Sequence, residues 1–435
     1  MTEVHTRLVA DIVIPAEGTG RVISNGAIDI DADGRILAVD PIGQLGDFDG
    51  DTQRIGGLVM PGLVNTHAHT PMTLVRSIGD GLPLDRWLQE AVWPREGKMT
   101  PDDAQWGMVL GSIEMLRAGV TTSVESYFFE DQIVAAANET GQRVCVGAGI
   151  LSAILPTDTD FENRVSEVAA FVAKNHDPNG QIRAVFSPHS VYDVSPERLS
   201  VIAEAAREKQ SMIHIHLEET QAERDLVLKN HGRSATQILA DSGILEVPTL
   251  AAHGVWLDDA DRSLLATAGA GVAHCPQSNG KLGSGIADVS ALIDAGIAVG
   301  IGTDGPASND NLDLWEELRL APLLARASST NPEAMDAALA IDLATRQGAR
   351  AAGMTDVGEL RPGAWADLIR LDIDYPEFVV GSSDEILSNL VWSGSAHHVT
   401  DVWVGGQRVV RNRECVTSDR HVAQEQVRNR ARSLC

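Results

Sequence analysis

Pro61-Gly62-Leu63-Val64-Asn65-Thr66-His67-Ala68-His69 is an apolar run that ends in two histidines one residue apart. In a β-strand, residues i and i+2 share a face, so His67 and His69 converge on one point from a rigid element. Neutral imidazole is the commonest protein ligand for borderline metals such as zinc, and two rings at a strand end need one or two distant partners to complete a catalytic site. The partners have to come from elsewhere in the chain.

Outward from this run, the sequence alternates apolar strands with helical segments, the arrangement that yields parallel βαβ units. Eight strands are predicted: Leu58 to Thr66, Val120 to Ser126, Arg143 to Ile150, Ile182 to Pro188, Met212 to Leu217, Thr249 to His253, Gly271 to Cys275 and Ile297 to Thr303. Helical periodicity fills the intervals at Pro101 to Ala118, Phe161 to Asn175, Pro196 to Lys209 and Ala287 to Ala295, and again at Pro332 to Ala352. Eight strands in this pattern predict a closed α/β barrel. Before it, residues 7–60 read as short strands (Leu8 to Pro15, Gly26 to Ile30, Arg35 to Val39) with turns such as Ala32-Asp33-Gly34. After Gly363 the strands return at Asp367 to Leu371 and Val399 to Val404, and Gly405-Gly406 turns the chain into Arg408 to Arg411. The expectation is a (β/α)8 TIM barrel over 61–363 with a small β-sandwich domain split between 1–60 and 364–435.

Composition narrows the class. The chain has 435 residues, 43% of them hydrophobic, and no apolar stretch approaches a membrane span. Its start has no basic segment followed by an apolar one, so no signal peptide is expected. The four cysteines, Cys145, Cys275, Cys415 and Cys435, are scattered and form no CxxC pair, which fits a reducing cytoplasm. A net charge of −27 without a basic stripe argues against a nucleic-acid polymer as partner and favours a small molecule. Carboxylates spread along the whole chain read as a solvated surface of the kind found in high-salt or GC-rich sources.

The reactive side chains fall in register with the strand ends. His67 and His69 end the first predicted strand, His189 follows the fourth, His216 lies at the fifth, His253 ends the sixth, and Asp304 follows the eighth. In a (β/α)8 barrel those carboxyl ends line one mouth, where the active site sits. Any one of these histidines alone reads as a hydrogen-bonded core residue; five in register do not.

At these residues the sequence resembles the amidohydrolase superfamily, and within it the adenosine-type deaminases that act on S-adenosylhomocysteine and methylthioadenosine. The motifs are the opening run, Met72-Thr73-Leu74, Trp93-Pro94-Arg95-Glu96, Ser187-Pro188-His189-Ser190, His216-Leu217-Glu218-Glu219-Thr220, Ala252-His253, Ser278-Asn279-Gly280-Lys281-Leu282, Gly302-Thr303-Asp304-Gly305 and Gly358 to Leu368. The resemblance implies that His67, His69, His216 and Asp304 bind one divalent metal, zinc ahead of iron or manganese. Such a metal lowers the pKa of water from about 15.7 to roughly 7, giving a hydroxide that attacks the purine ring and releases ammonia. It implies Glu219 as proton shuttle, His253 as the group that stabilises the adduct, and Asp304 as proton acceptor as well as ligand. It places Glu96 on the ribose hydroxyls and His189 near the purine or ribose; Trp93 reads either as an apolar wall for the base or as a residue packed under the loop.

None of the five lysines ends a predicted strand, so no carboxylated lysine is expected to bridge a second metal. His214 shares a face with His216 one pleat deeper and is expected to be an interior hydrogen-bonding residue, and His274 to be structural. Relatives that prefer S-adenosylhomocysteine hold its amino-acid carboxylate with arginines. Here the first such position falls at Ala148, and the loop Ser152 to Glu162 carries Asp158, Asp160 and Glu162 but no arginine; Arg164 lies just beyond. The expected substrate is therefore an adenine nucleoside with an uncharged 5′ end, methylthioadenosine or adenosine. Two alternatives stand beside it: hydrolysis of another amino- or halo-substituted ring such as a triazine, pterin or oxidised guanine, and a non-catalytic scaffold. Zinc deaminases with His-x-Glu and Pro-Cys-x-x-Cys are excluded, because Cys275-Pro276 has no second cysteine in range. Homo-oligomers are common among the relatives, and the sequence leaves the oligomeric state open.

Overall fold

The computed structural model describes residues 4–18, 20–382 and 385–434. Eight parallel strands follow one another around a barrel: Leu63–Ala68, Val120–Tyr127, Arg143–Ile150, Ile182–Pro188, Ile213–Leu217, Thr249–His253, Gly271–His274 and Ala298–Ile301. They are apolar and almost wholly buried, as strands covered on both faces must be. The first and eighth meet at a bridge between Ala68 and Asp304, where the Asp304 N–H donates to the His67 carbonyl at 3.0 Å. Asn65 adds a side-chain seam there, donating to Thr303 Oγ1 at 2.8 Å and accepting the Thr303 N–H at 3.0 Å. Inside the barrel, Val64, Val124, Cys145, Val185, Leu250 and Ala273 pack in one cluster with Ala349, Met354 and Val357.

The predicted strand Leu58 to Thr66 is two strands. Leu58–Pro61 pairs with Thr6–Val13 and with Leu368–Leu371 in a separate nine-stranded mixed sheet made from both chain ends, and the barrel begins only at Leu63. Gly62 is the joint: a Cβ there would lie 2.1 Å from Thr121 Oγ1, so only glycine lets the chain pass from one sheet to the other at this point. The mixed sheet has its own apolar cluster, in which Leu8, Ile28, Ile36 and Val59 from one end of the chain meet Leu368 and Trp403 from the other.

The helix expected over Pro332 to Ala352 is also divided, into Ala337–Leu343 and Arg346–Ala351, with Thr345 out of helical geometry between them. Several helices are not among the predicted segments, two of them long. Leu314–Ser329 follows the eighth strand and contains Pro322, and Arg420–Leu434 packs against Pro101–Arg117. No helix of the described residues is long and apolar enough to cross a membrane.

Candidate active site

The carboxyl ends of the barrel strands surround a solvent-open pocket of about 700 Å³, and His69, His216 and Asp304 lie in its floor. His67 is fully buried beneath them. Each of the three rings has its Nδ1 already engaged. His69 Nδ1 donates to the Ser126 carbonyl, His216 Nδ1 donates to the His189 carbonyl at 2.9 Å, and His67 Nδ1 faces His214 Nε2 at 3.0 Å. A hydrogen on Nδ1 leaves the Nε2 lone pairs free, and all three point inward. His69 Nε2 and His216 Nε2 stand 3.2 Å apart, and the Nε2 atoms of His67 and His69 are each 3.4 Å from Asp304 Oδ1. His67 Nε2 has no hydrogen-bond partner although it is buried. Lone pairs turned on one another repel unless a cation lies among them. Three imidazole nitrogens and one carboxylate oxygen form a donor set that suits a divalent metal such as zinc.

The charges agree with that use. Burial pushes His67 down to about 4 and His216 well below the ordinary imidazole value, so both rings are neutral and able to ligate. For Asp304, burial favours the neutral acid, but the adjacent His67 and the other imidazoles around it outweigh that and hold the carboxylate well below its usual range. Its other oxygen accepts Ser278 Oγ at 2.6 Å and Ser308 Oγ at 2.8 Å. Asp304 and His253 both occupy left-handed backbone, at φ 60° and 74°. Such geometry costs a non-glycine residue about 1–3 kcal/mol and clusters at functional sites.

His253 Nδ1 is held by Asn279 Oδ1 at 3.0 Å, and its Nε2 lies 3.8 Å from Glu219 Oε2. With His67 and His216, His253 forms a second trio of close donor atoms, beside that of His67, His69 and Asp304. Burial first, and then the Asp304 charge, push the Glu219 carboxyl up to about 8, so it holds a proton at neutral pH. A buried acid in that state is equipped to give its proton to a base.

Above the floor the walls are largely apolar, with Leu84, Trp87, Leu88, Phe128 and Leu282 among them. Glu96 and His189 line the pocket as expected, and Trp93 does so with 38% of its surface exposed. Glu96 receives the Tyr127 hydroxyl at 2.6 Å, and burial raises its carboxyl while that bond opposes the rise. No lysine or arginine is among the described residues of these walls. Arg164 does not line the pocket and is committed elsewhere, bonding the Gly149 carbonyl at 3.0 Å and Glu130 at 3.0 Å.

A model of the amidohydrolase family matches residues 58–409. The chain is 38% identical over 426 residues to 5-methylthioadenosine/S-adenosylhomocysteine deaminase of Pelotomaculum thermopropionicum, covering 97% of each chain. The chain belongs to the amidohydrolase family. Among solved structures, it superposes on an adenosine deaminase from Xanthomonas campestris with bound zinc, at a TM-score of 0.92 and 33% identity over 100% of this chain and 99% of the other. It also matches an atrazine chlorohydrolase from Arthrobacter aurescens complexed with zinc, at a TM-score of 0.89 and 25% identity over 98% and 100% of the two chains.

Several supports of this amidohydrolase site had no assigned role in the sequence. Glu125 is fully buried and accepts Thr70 N–H at 2.9 Å and Thr70 Oγ1 at 2.8 Å, fixing the turn just after His69. Ser278 and Asn279 belong to the Ser278-Asn279-Gly280-Lys281-Leu282 motif, yet nothing in their spacing shows that they hold Asp304 and His253. His214 does lie in the interior, where it braces His67, and His274 is buried. A separate group, Glu377, His397 and His398, also brings donor atoms together. There His398 Nδ1 accepts the Ser395 N–H at 3.2 Å and its Nε2 donates to Glu377 at 3.0 Å, so that ring has no lone pair to offer a metal.

Proposed function

We propose that this chain is a zinc-dependent hydrolytic deaminase of adenine nucleosides, with His67, His69, His216 and Asp304 as the ligands. The observation that carries the reading is the convergence of imidazole lone pairs, that of His67 unpartnered, and Asp304 beside the protonated Glu219, at the foot of a largely apolar pocket open to solvent. Two relatives named as deaminases of adenine nucleosides, each matched over nearly its whole length, support it. The barrel over 61–363 would carry the chemistry, and the small β domain from 1–60 and 364–435 none of the site residues.

Bound at these ligands, the ion would supply the Lewis acidity that activates water near neutral pH. Proton handling falls to the chain itself. Glu219 Oε2 passes a proton between the water and a ring nitrogen, which makes the adjacent carbon electron-poor. His253 Nε2, fixed by Asn279, would orient the attacking oxygen. Asp304, kept ionised, would take the proton of the hydroxyl added to the ring and deliver it to the purine amino group, which leaves as ammonia as its bond to the ring carbon breaks. The half-buried Glu96 carboxylate, with one oxygen occupied by Tyr127, would accept from the ribose hydroxyls, and His189 and Trp93 would border the nucleoside.

The 5′ end of the substrate meets an apolar wall without a cation. A carboxylate there lacks the charge-assisted, bidentate contact an arginine gives, which forfeits about 1.5–3 kcal/mol, or roughly ten- to a hundredfold in binding. Methylthioadenosine should therefore exceed S-adenosylhomocysteine in kcat/KM by at least about tenfold. Ammonia release from both, measured beside adenosine and a chlorinated triazine, tests the reading. Equal or reversed values would refute the 5′ preference, and turnover of the triazine alone would refute nucleoside deamination.

A further inference from the structure

Glu219 stands on the turn that follows the fifth barrel strand and His253 ends the sixth, and the turns after the two strands are hydrogen-bonded into one unit. The Gly254 N–H donates to the Leu217 carbonyl at 3.0 Å, and the Val255 and Trp256 N–H groups donate to the Glu218 carbonyl at 3.0 and 3.1 Å. Between Leu217 and Glu219, Glu218 is fully buried in left-handed backbone, at φ 50°. A conformation of that kind persists only where its surroundings hold it.

What holds it is the first turn of the helix Gln221–His231. The Glu223 carboxylate accepts the Glu218 N–H at 3.2 Å and the Glu219 N–H at 2.9 Å. The next residue, Arg224, spans both turns. Its Nη1 donates to Glu218 Oε2 at 3.0 Å on one side, and to the Trp256 carbonyl at 2.8 Å and Asp261 Oδ2 at 2.9 Å on the other; Nη2 reaches Asp258 at 2.6 Å. Glu218 and Asp261 are both buried anions, and one guanidinium serves them together. A planar fork with five donors can do this; a lysine ammonium cannot reach all four acceptors at once.

We propose that Arg224 is a positioning residue for deamination: by clamping the turns after the fifth and sixth barrel strands it sets the separation of Glu219 and His253. It touches neither group. The inference rests on the reading of that pair as the proton-handling groups.

The test uses metal-loaded wild type, Arg224→Met, Arg224→Lys, Glu219→Gln and the Arg224→Met/Glu219→Gln double variant, with metal content, kcat and KM for methylthioadenosine measured well below each melting temperature. Arg224→Met should keep its metal and nearly its KM while losing about ten- to a hundredfold in kcat, the scale of an ångström-sized misplacement of a catalytic group. Arg224→Lys should recover part of that loss. In the Glu219→Gln background the same Arg224→Met change should cost no more than about threefold, because the group it positions no longer moves a proton. Wild-type kcat in folded Arg224→Met, or an equal loss in both backgrounds, would overturn the proposal. Should Arg224→Met not fold, Glu218→Gln removes the same ion pair with little change of shape; it should lower kcat with the same non-additivity, and an unchanged kcat would overturn the proposal there. Full activity in Glu219→Gln would instead overturn the underlying reading of Glu219.

Discussion

His67 shows what a single side chain contributes here. Its ring is buried, neutral, braced by His214 at Nδ1 and unpartnered at Nε2, which is a poor bargain for a structural histidine and a suitable one for a ligand. That reactive side chains gather here was legible because His67, His69, His189, His216, His253 and Asp304 fall at strand ends that a barrel brings to one mouth; the family resemblance, not the spacing, singled out His67, His69, His216 and Asp304 as the proposed ligands. The braces were not legible, since Ser126 and His189 act through backbone carbonyls that carry no residue signature. Two variants separate ligand from proton carrier. Metal analysis of purified protein should give about one ion per chain, lost in His67→Ala/His69→Ala. In Glu219→Gln the ion should remain while turnover falls by roughly 10²–10⁴, the range of general acid–base catalysis. Loss of metal in Glu219→Gln would place Glu219 among the ligands.

Strands were easier to read than their breaks. Runs such as Arg143 to Ile150 and Thr249 to His253 match their predicted bounds because burial on both faces leaves little room for polar residues. Gly62 sits in an unbroken apolar run, so nothing before or after it shows that the chain changes sheets there. The helix Arg420–Leu434 escaped for the opposite reason: apart from Ala423, Val427 and Leu434 its residues are half-buried or exposed, too few buried positions to mark a helical stripe. Glycine carries information in the eighth barrel strand too. A Cβ on Gly300 would lie 2.3 Å from Thr66 Cγ2 and 2.7 Å from the Gly348 Cα, so the closure of the barrel depends on its absence. Gly300→Ala should destabilise by about 1–3 kcal/mol, the usual cost of overpacking a close-packed interior. Chemical denaturation measures this, and a wild-type midpoint would mean that the seam between the first and eighth strands can open without cost.

At the scale of the whole molecule, the question is what keeps the small β domain on the barrel. The reunion of the two chain ends was legible from the strands after Gly363 and the Gly405-Gly406 turn, but the contact that fastens them to the barrel was not, because Arg143 and Asp367 are 224 residues apart. Arg143 opens the third barrel strand, at the end of the barrel away from His67 and His69. Its Nε and Nη2 bond the Asp367 carboxylate at 2.7 and 3.0 Å, and both side chains are almost fully buried. Asp367 also accepts the Gly405 N–H at 2.6 Å through its carboxylate, and the Gly62 N–H at 3.0 Å through its carbonyl. One carboxylate thus ties the barrel to the closing hairpin, beside the joint at which the chain enters the barrel. Removing the arginine alone leaves that charge buried and unpaired, so Arg143→Met should destabilise by roughly 3–5 kcal/mol. Replacing both partners removes the uncompensated charge, and Arg143→Met/Asp367→Leu should lose less than the sum of the two single changes. Metal content and kcat/KM of the folded fraction should stay at the wild-type level in all three, since the pair lies at the far end of the barrel. Additive losses in denaturation would mean that the two side chains stabilise the junction independently; a drop in metal content would mean that the small domain reaches the active site through the barrel floor.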